Sequence, residues 1–380
     1  MGYLPSLDGL RGISIIAVMA FNTQLLCIQG GFVGVDIFFV LSGFLITALL
    51  VQNFHRTSGI GIKHFYFRRA LRLFPALLAL LLFYAAYALL FQPFDKAVTT
   101  LKGELYTLFY IANWVQVPPI SYHMGGLSHT WSLSVEEQFY IIWPLLLLLL
   151  LKLNSKRVII IILLSLVTIS VSLNVWFWQT GIPFLRMYFG SDTRANEILI
   201  GCIAALLFSS GIFKRVENSK LARRFNFVKW TFHSAAFISL VGILLSFFYA
   251  RIDQEFLYNG GFVLVSISVA CIILDLVLFP SATSRVFEFA ILVWIGRISY
   301  GLYLWHYPIS EASRQLFDGR TSVLFYQVFG LVVTFMVAAA SFYLLEQPFL
   351  KLKHRFGASR PPVDLLPVSA RTVEKVQVTH

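Results

Sequence analysis

The stretch Leu7-Asp8-Gly9-Leu10-Arg11-Gly12 places a carboxylate and a guanidinium three residues apart at the start of a long apolar run. On a helix that is one turn, so Asp8 and Arg11 can simply pair and anchor the helix end. Eleven residues beyond Arg11 is three turns on nearly the same face, about 16 Å further along at 1.5 Å per residue, and Asn22 stands there. A second stretch, GGFVGVDIFFVLSGF at residues 30–44, embeds Asp36 and Ser42 in apolar sequence. Gly31, Gly34 and Gly43 suit close packing of backbones, whereas Asp36, early in a run of lipid length, needs a partner or water. In a third stretch Arg69 and Arg72 share a face at i, i+3, with Arg68 adjoining. These arginines read either as anchors at a cytoplasmic helix end or as a fork for an anionic nucleotide phosphate.

The fourth stretch, LSHTWSLSVEEQFY at residues 127–140, leads from a loop into a helix. Ser134 and Glu137 have capping-box spacing, which would make Glu137 a helix-start residue. Glu136 points elsewhere, and with His129, across Trp131, it offers acid/base chemistry. Asp192, Arg194 and Glu197 are expected to form a salt bridge that caps a helix start. Arg297 and His306 lie in the aromatic run at residues 294–308, and neither is expected to face lipid. Cys27, Cys202 and Cys271 are far apart in apolar runs without CxxC or His spacing, so neither disulfides nor a metal site is expected.

The elements that must position these groups are set by hydropathy. Of 380 residues, 58% are hydrophobic and 13% charged, and the mean hydropathy is +0.77. A soluble core could not hide that much apolar surface. The expected fold is all-α, a polytopic membrane helix bundle of about ten spans, since a bilayer needs about 20 apolar residues per helix. The spans lie near residues 12–28, 32–51, 73–92, 133–152, 157–177, 192–210, 230–250, 258–279, 289–310 and 322–346. The first reads as a retained span rather than a signal peptide, because Asp8 is present and a cleavage site is not.

The net charge of +12 collects in connections around Arg56 to Arg72, Lys152 to Arg157, Lys214 to Lys229 and Arg285. With both termini cytoplasmic, nearly all of these fall inside. That pattern suits anionic lipid rather than nucleic acid. Tyr106 to Val117 is too short and too polar at Asn113 to span and reads as an interfacial or re-entrant helix. Residues 1–350 form one integral-membrane domain, and 351–380 read as a disordered cytoplasmic tail.

Five motifs in series resemble the integral-membrane acyltransferases of acyltransferase family 3, which O-acetylate bacterial polysaccharides and related glycans. They are LDGLRG at 7–12, GGFVGVDIFFVLSGFLIT at 30–47, FYFRRALRLFPAL at 65–77, HTWSLSVEEQFY at 129–140 and WIGRISYGLYLWHYP at 294–308. The resemblance covers roughly residues 5 to 350. It implies a bacterial inner-membrane enzyme with an acyl-CoA donor, usually acetyl-CoA, bound from the cytoplasm. Its acceptor would be a hydroxyl of a carbohydrate or lipid-linked glycan. By the same resemblance Arg11, Arg69 and Arg72, with Arg68 beside them, are donor-binding residues, and Glu136 belongs to the central site.

One position departs from the pattern. The family places a His eleven residues after the first-span Arg, where it resembles a catalytic base, and this chain has Asn22. An amide cannot take a proton from a hydroxyl, so the change should lower the rate by roughly 10² to 10⁴. The expectation is a disabled copy of an active family, unless another group does the job. A transporter or flippase is the competing class, but neither paired repeats nor matching broken helices are evident. A non-catalytic acyl-CoA-binding partner is the third. No esterase-like domain is evident in the sequence, so reaching a distant periplasmic acceptor would require a separate periplasmic partner.

Overall fold

The computed structural model describes residues 3–25, 28–57, 59–153, 155–211, 222–279, 282–317 and 319–352. Within them every regular element is helical. In hydrocarbon no water is present to satisfy peptide groups, and a helix satisfies them internally. Helices α1 (Pro5–Asn22) and α2 (Val33–Thr57) carry the first two polar stretches, and α3 (Ile62–Phe91) carries the arginines. Then come α4 (Phe94–Leu108), the short α5 (Ala112–Gln116) and a 3-10 turn (Gly125–Thr130) that runs into α6 (Trp131–Lys152). Next are α7 (Lys156–Gln179), α8 (Phe184–Phe189), α9 (Ser191–Ser209), α10 (Ala222–Tyr249), a π turn (Leu257–Gly261) and α11 (Phe262–Leu278). The last described elements are α12 (Ala282–Phe287), α13 (Ala290–Arg297), α14 (Ser299–Phe317), α15 (Val323–Ser341), a second π turn (Phe342–Glu346) and α16 (Gln347–Leu352).

Seven of the described helical stretches are long and apolar enough to cross a membrane, against the ten expected. The other three expected spans correspond to α1, α9 and the α13–α14 pair. Helices α1 and α9 carry Asp8, Arg11, Asp192, Arg194 and Glu197, which lower their hydropathy, and packing hides most of both. The expected span at 289–310 is broken at Ile298 between α13 and α14. That break turns Arg297 outward, where it is exposed and receives the Tyr3 hydroxyl oxygen as an acceptor at 2.8 and 3.0 Å. Arg297 is therefore not enclosed with His306, which lies past the break and is fully buried.

Close backbone approach holds α1, α2 and α9 together. A Cβ on Gly43 would collide with the Ile198 carbonyl of α9, and one on Gly201 would collide with the Val40 carbonyl of α2. This reciprocal contact is the small-residue packing expected for membrane helices, where van der Waals fit replaces a hydrophobic driving force. Gly31 and Gly34 meet the carbonyls of Ala17 and Ser14 on α1 in the same way.

Between α2 and α9 lies a buried charge cluster. Arg194 pairs with Asp36 and lies 3.0 Å from Glu197, all three side chains being sealed from the surface. The guanidinium sits 4.2 Å from the Phe262 ring centre and 5.1 Å from that of Tyr188, with Phe39 and Trp131 further round. Aromatic faces and two carboxylates thus replace the hydration that burial removes. The expected helix-capping bridge is corrected here: Asp192 pairs instead with Arg186 at 2.6 Å, and Arg194 points inward to partner Asp36.

The segment around Asn113 does not span. Tyr110 takes φ +54° and divides the stretch, so α4 ends before α5 begins. Asn113 is buried and donates to Phe189 O at 3.1 Å and Ser191 Oγ at 2.9 Å, while Gln138 of α6 donates to Asn113 Oδ1 at 2.9 Å. The polarity that argues against a crossing is what ties this segment into the bundle. The expectations for Cys27, for Lys214, Arg215 and Lys220, and for the tail beyond Leu352 lie outside the described residues.

Removing one member of a buried ion cluster leaves the others uncompensated, at a cost of about 3–5 kcal/mol. Arg194→Leu should therefore sharply lower the unfolding temperature of the detergent-purified protein relative to wild type, measured by intrinsic fluorescence. An unchanged unfolding temperature would show that the cluster does not hold α2 to α9.

Candidate functional site

Helix α1 joins two groups of polar side chains, one near Arg11 and one at Asn22. At the first, Arg11 pairs with Asp8 at 3.0 Å, as the spacing suggests. Arg69 of α3 grips Glu137 of α6 with Nε 3.0 and 3.1 Å from the two carboxylate oxygens, and a second contact runs from Nη2. Its guanidinium also lies 3.2 Å from the Tyr140 ring centre. Arg72, one turn on, is exposed and lies within Coulombic reach of Arg11, Arg69 and Glu346. Among the described residues Arg72 makes no ion pair or hydrogen bond, so its fork of donors is available to an anion. Arg68 is half-buried beside them.

The capping-box reading of Ser134 and Glu137 is corrected. Helix α6 starts earlier, at Trp131, and Ser134 Oγ donates to Thr130 O at 3.2 Å. Glu137 is left free to serve as the carboxylate for Arg69, a partner 68 residues away. Glu136 points inward: Ser42 Oγ of α2 donates to it at 3.0 Å, and the Tyr140 hydroxyl is 3.4 Å away. Ser42, Glu136, Tyr140 and Arg69 thus form one connected group. Asp36 is not part of it, because Arg194 holds it in the charge cluster, and Trp131 contributes its ring to the cage around that cluster.

Further along, Ser132 and the Tyr303 hydroxyl of α14 are hydrogen-bonded, and that hydroxyl donates to His129 O at 2.8 Å. The far end of α1 then meets two histidines. His306 Nδ1 is 2.6 Å from Tyr303 O, a contact that requires the proton on Nδ1. The remaining lone pair on Nε2 accepts the Asn22 amide at 2.9 Å. His129 Nε2 donates to Leu304 O at 3.2 Å, so its Nδ1 is the basic nitrogen. The His129 ring packs edge-on to His306 at 5.2 Å and stacks on Tyr307 at 5.4 Å.

Two cavities adjoin this end, and Asn22 and Tyr307 line both. The first, of about 250 Å³, extends toward Gln24, Ser310, Glu311 and Gln327. The second, of about 160 Å³, is walled by aromatic rings and reaches His129, Trp131 and Tyr303. Arg11, Arg69, Arg72 and Glu136 border neither. The structure therefore brings Asn22, His129 and His306 together at one end, and Asp8, Arg11, Arg69, Arg72, Glu136, Glu137 and Ser42 at the other.

Sequence reasoning missed Tyr303, Tyr307 and Glu346. Tyr300, Tyr303 and Tyr307 recur at i, i+3 and i+7 with His306 between them, a helical face that the spacing does display. Glu346 reads in sequence only as a helix end, but it is buried and its Oε1 lies 3.2 Å from the position a Cβ on Gly301 would occupy.

The family model described as an acyltransferase domain matches residues 4–343. The chain is 33% identical over 91% of its length to a putative peptidoglycan O-acetyltransferase of Bacillus subtilis, of which the match covers 55%. It is 34% identical over 92% of its length to a peptidoglycan O-acetyltransferase of Listeria monocytogenes, covering 56% of that protein. A putative O-acetyltransferase of Staphylococcus aureus is similar at 34% identity, over 92% of this chain and 58% of its own. The chain thus spans about half the length of the curated relatives it matches. No solved structure matches it. A match that runs from α1 into the second π turn takes in both ends of the polar site, and the chain belongs to acyltransferase family 3.

Proposed function

We propose that this chain is a bacterial membrane O-acyltransferase that takes an acetyl group from acetyl-CoA at the cytoplasmic face of the inner membrane and passes it to a glycan hydroxyl. The donor's phosphates would meet Arg72, with Arg11 and Arg69 beside it. In the transfer the thioester C–S bond breaks, an ester C–O bond forms at the acceptor oxygen, and the hydroxyl proton leaves to a base. The departing CoA thiolate then takes up a proton. The acceptor would be a carbohydrate or lipid-linked glycan, and the names of the relatives point to the glycan of peptidoglycan. A separate periplasmic partner would carry the group on where the acceptor is distant. The observation that carries this reading is the succession of polar groups from Arg72 through Glu136 and Tyr303 to Asn22 and His306 inside an apolar bundle.

At Asn22 this copy is silenced. The amide offers no basic lone pair, and its N–H occupies the one free lone pair of His306. A second reading, in which the chain is active as it stands, draws on His129. Its Nδ1 is buried, has no partner among the described residues, and belongs to a ring that borders the aromatic cavity. The group that would take the acceptor's proton is then His129 rather than residue 22.

These readings separate with purified protein in lipid nanodiscs and radiolabelled acetyl-CoA. Silencing predicts that Asn22→His raises transfer to glycan by 10²- to 10⁴-fold, the usual worth of a general base. No gain, together with loss of an existing wild-type rate in His129→Gln, would favour the second reading. In the Asn22→His background, Arg72→Gln should raise the KM for acetyl-CoA by about 10-fold, the worth of one charge-assisted contact of about 1.4 kcal/mol, and leave kcat nearly unchanged. Unaltered donor KM would remove Arg72 from the donor site.

A further inference from the structure

The larger cavity at the Asn22 end differs from the rest of the bundle in its chemistry. All nine residues that line it carry hydrogen-bonding side chains, in a chain that is 58% hydrophobic. Much of that capacity is unused. The amides of Gln24 and Gln327 and the hydroxyls of Tyr307 and Tyr326 make no hydrogen bond among the described residues. Ser310 Oγ is enclosed and also lacks a partner. Buried polar groups are normally paired, which singles out Ser310 Oγ; Tyr307, Tyr326 and Gln327 are half-buried and Gln24 is exposed, so together they offer a polar ligand donors and acceptors that no protein bond engages.

Charge narrows the class of ligand. The cavity has one acid and one base, Glu311 and Arg314, and they are paired with each other at 3.0 Å. A phosphate would have to compete with Glu311 for the guanidinium, and a cation would have to compete with Arg314 for the carboxylate. A neutral ligand rich in hydroxyl or amide groups competes with neither. Two tyrosine rings supply flat faces for the C–H side of a ring, while the amides serve its edge. Pockets for drug-sized molecules run from about 300 to 1,000 Å³, and this one, about 250 Å³, is sized for a single ring.

We propose that this cavity is the acceptor subsite, taking one neutral pyranose ring between Gln24, Tyr326 and Gln327 with a hydroxyl directed at Asn22 and Tyr307. The proposal rests on the transfer reading above and specifies its acceptor half. Asn22 and Tyr307 also wall the aromatic cavity, so a hydroxyl held against them stands at the junction of the two, close to His306 and His129.

Binding can be read without turnover. Chitotriose, a neutral trimer of N-acetylglucosamine, is titrated into nanodisc-embedded protein and followed by saturation-transfer difference NMR, with inorganic phosphate as the anionic probe. Wild type should bind the trimer, Gln327→Ala and Tyr326→Leu should each weaken it at least 10-fold, and phosphate should not displace it. Unfolding temperatures of the variants establish that they are folded, and Gln24→Ala supplies a third, independent contact. Failure of wild type to bind, equal binding by all three folded variants, or displacement by phosphate would overturn the subsite. CoA release from acetyl-CoA with water as acceptor is read in parallel for wild type and Asn22→His. Its absence from both would refute the transfer reading without touching the sugar-binding result, so the two failures remain distinguishable.

Discussion

Arg194 holds Asp36 of α2 and Glu197 of its own helix inside a cage of aromatic faces, and the register of the site depends on that contact. In an apolar surrounding, a guanidinium and two carboxylates have few arrangements in which all are compensated, so the cluster sets how α2 and α9 lie against each other. The reciprocal approach of Gly43 and Gly201 brings the two backbones close enough for it to form. Trp131 belongs to the same cage and is also the first residue of α6. Fixing Trp131 aims the next turns of α6, so Glu136 reaches Ser42 of α2 and Glu137 reaches Arg69 of α3. A structural charge cluster thus places the functional one without sharing residues with it.

From there the polar groups divide by task. Arg11 and Arg69 already have carboxylate partners, which hold them in position, while Arg72 has none among the described residues. A paired arginine orients, and an unpaired one at the same mouth can bind an incoming anion. At the other end of α1 the groups are neutral proton donors and acceptors rather than charges. The carbonyls of Tyr303 and Leu304, one residue apart on α14, fix the tautomers of His306 and His129 respectively. Both histidines therefore present a basic nitrogen away from α14's backbone, and Asn22 covers one of them.

What the sequence displayed depended on how far apart the partners lie. The Asp8–Arg11 pair is local and legible from its spacing, as are the apolar stretches that build the bundle and the small residues of α2. The Arg194–Asp36 pair joins residues 158 apart, and the Asn22–His306 contact joins residues 284 apart. No local pattern carries such partners. Local completeness also misled: Ser134 and Glu137 satisfy a capping box on paper, but a helix that begins at Trp131 leaves Glu137 to Arg69. The same applies to Asp192, Arg194 and Glu197, whose spacing suggests one bridge while α2 and α8 supply partners that divide them. The continuous span expected at 289–310 failed for a different reason, since hydropathy ran two helices together across the break at Ile298.

The central claim is that one bundle receives an acyl donor at its arginine end and presents the acyl group at the Asn22 end. Proteoliposomes loaded with chitotriose, bearing Asn22→His protein and given radiolabelled acetyl-CoA outside only, test it directly. The account predicts labelled acetyl esters on the trapped sugar while acetyl-CoA itself stays outside. Label appearing only when donor and sugar share the same side of the membrane would contradict it.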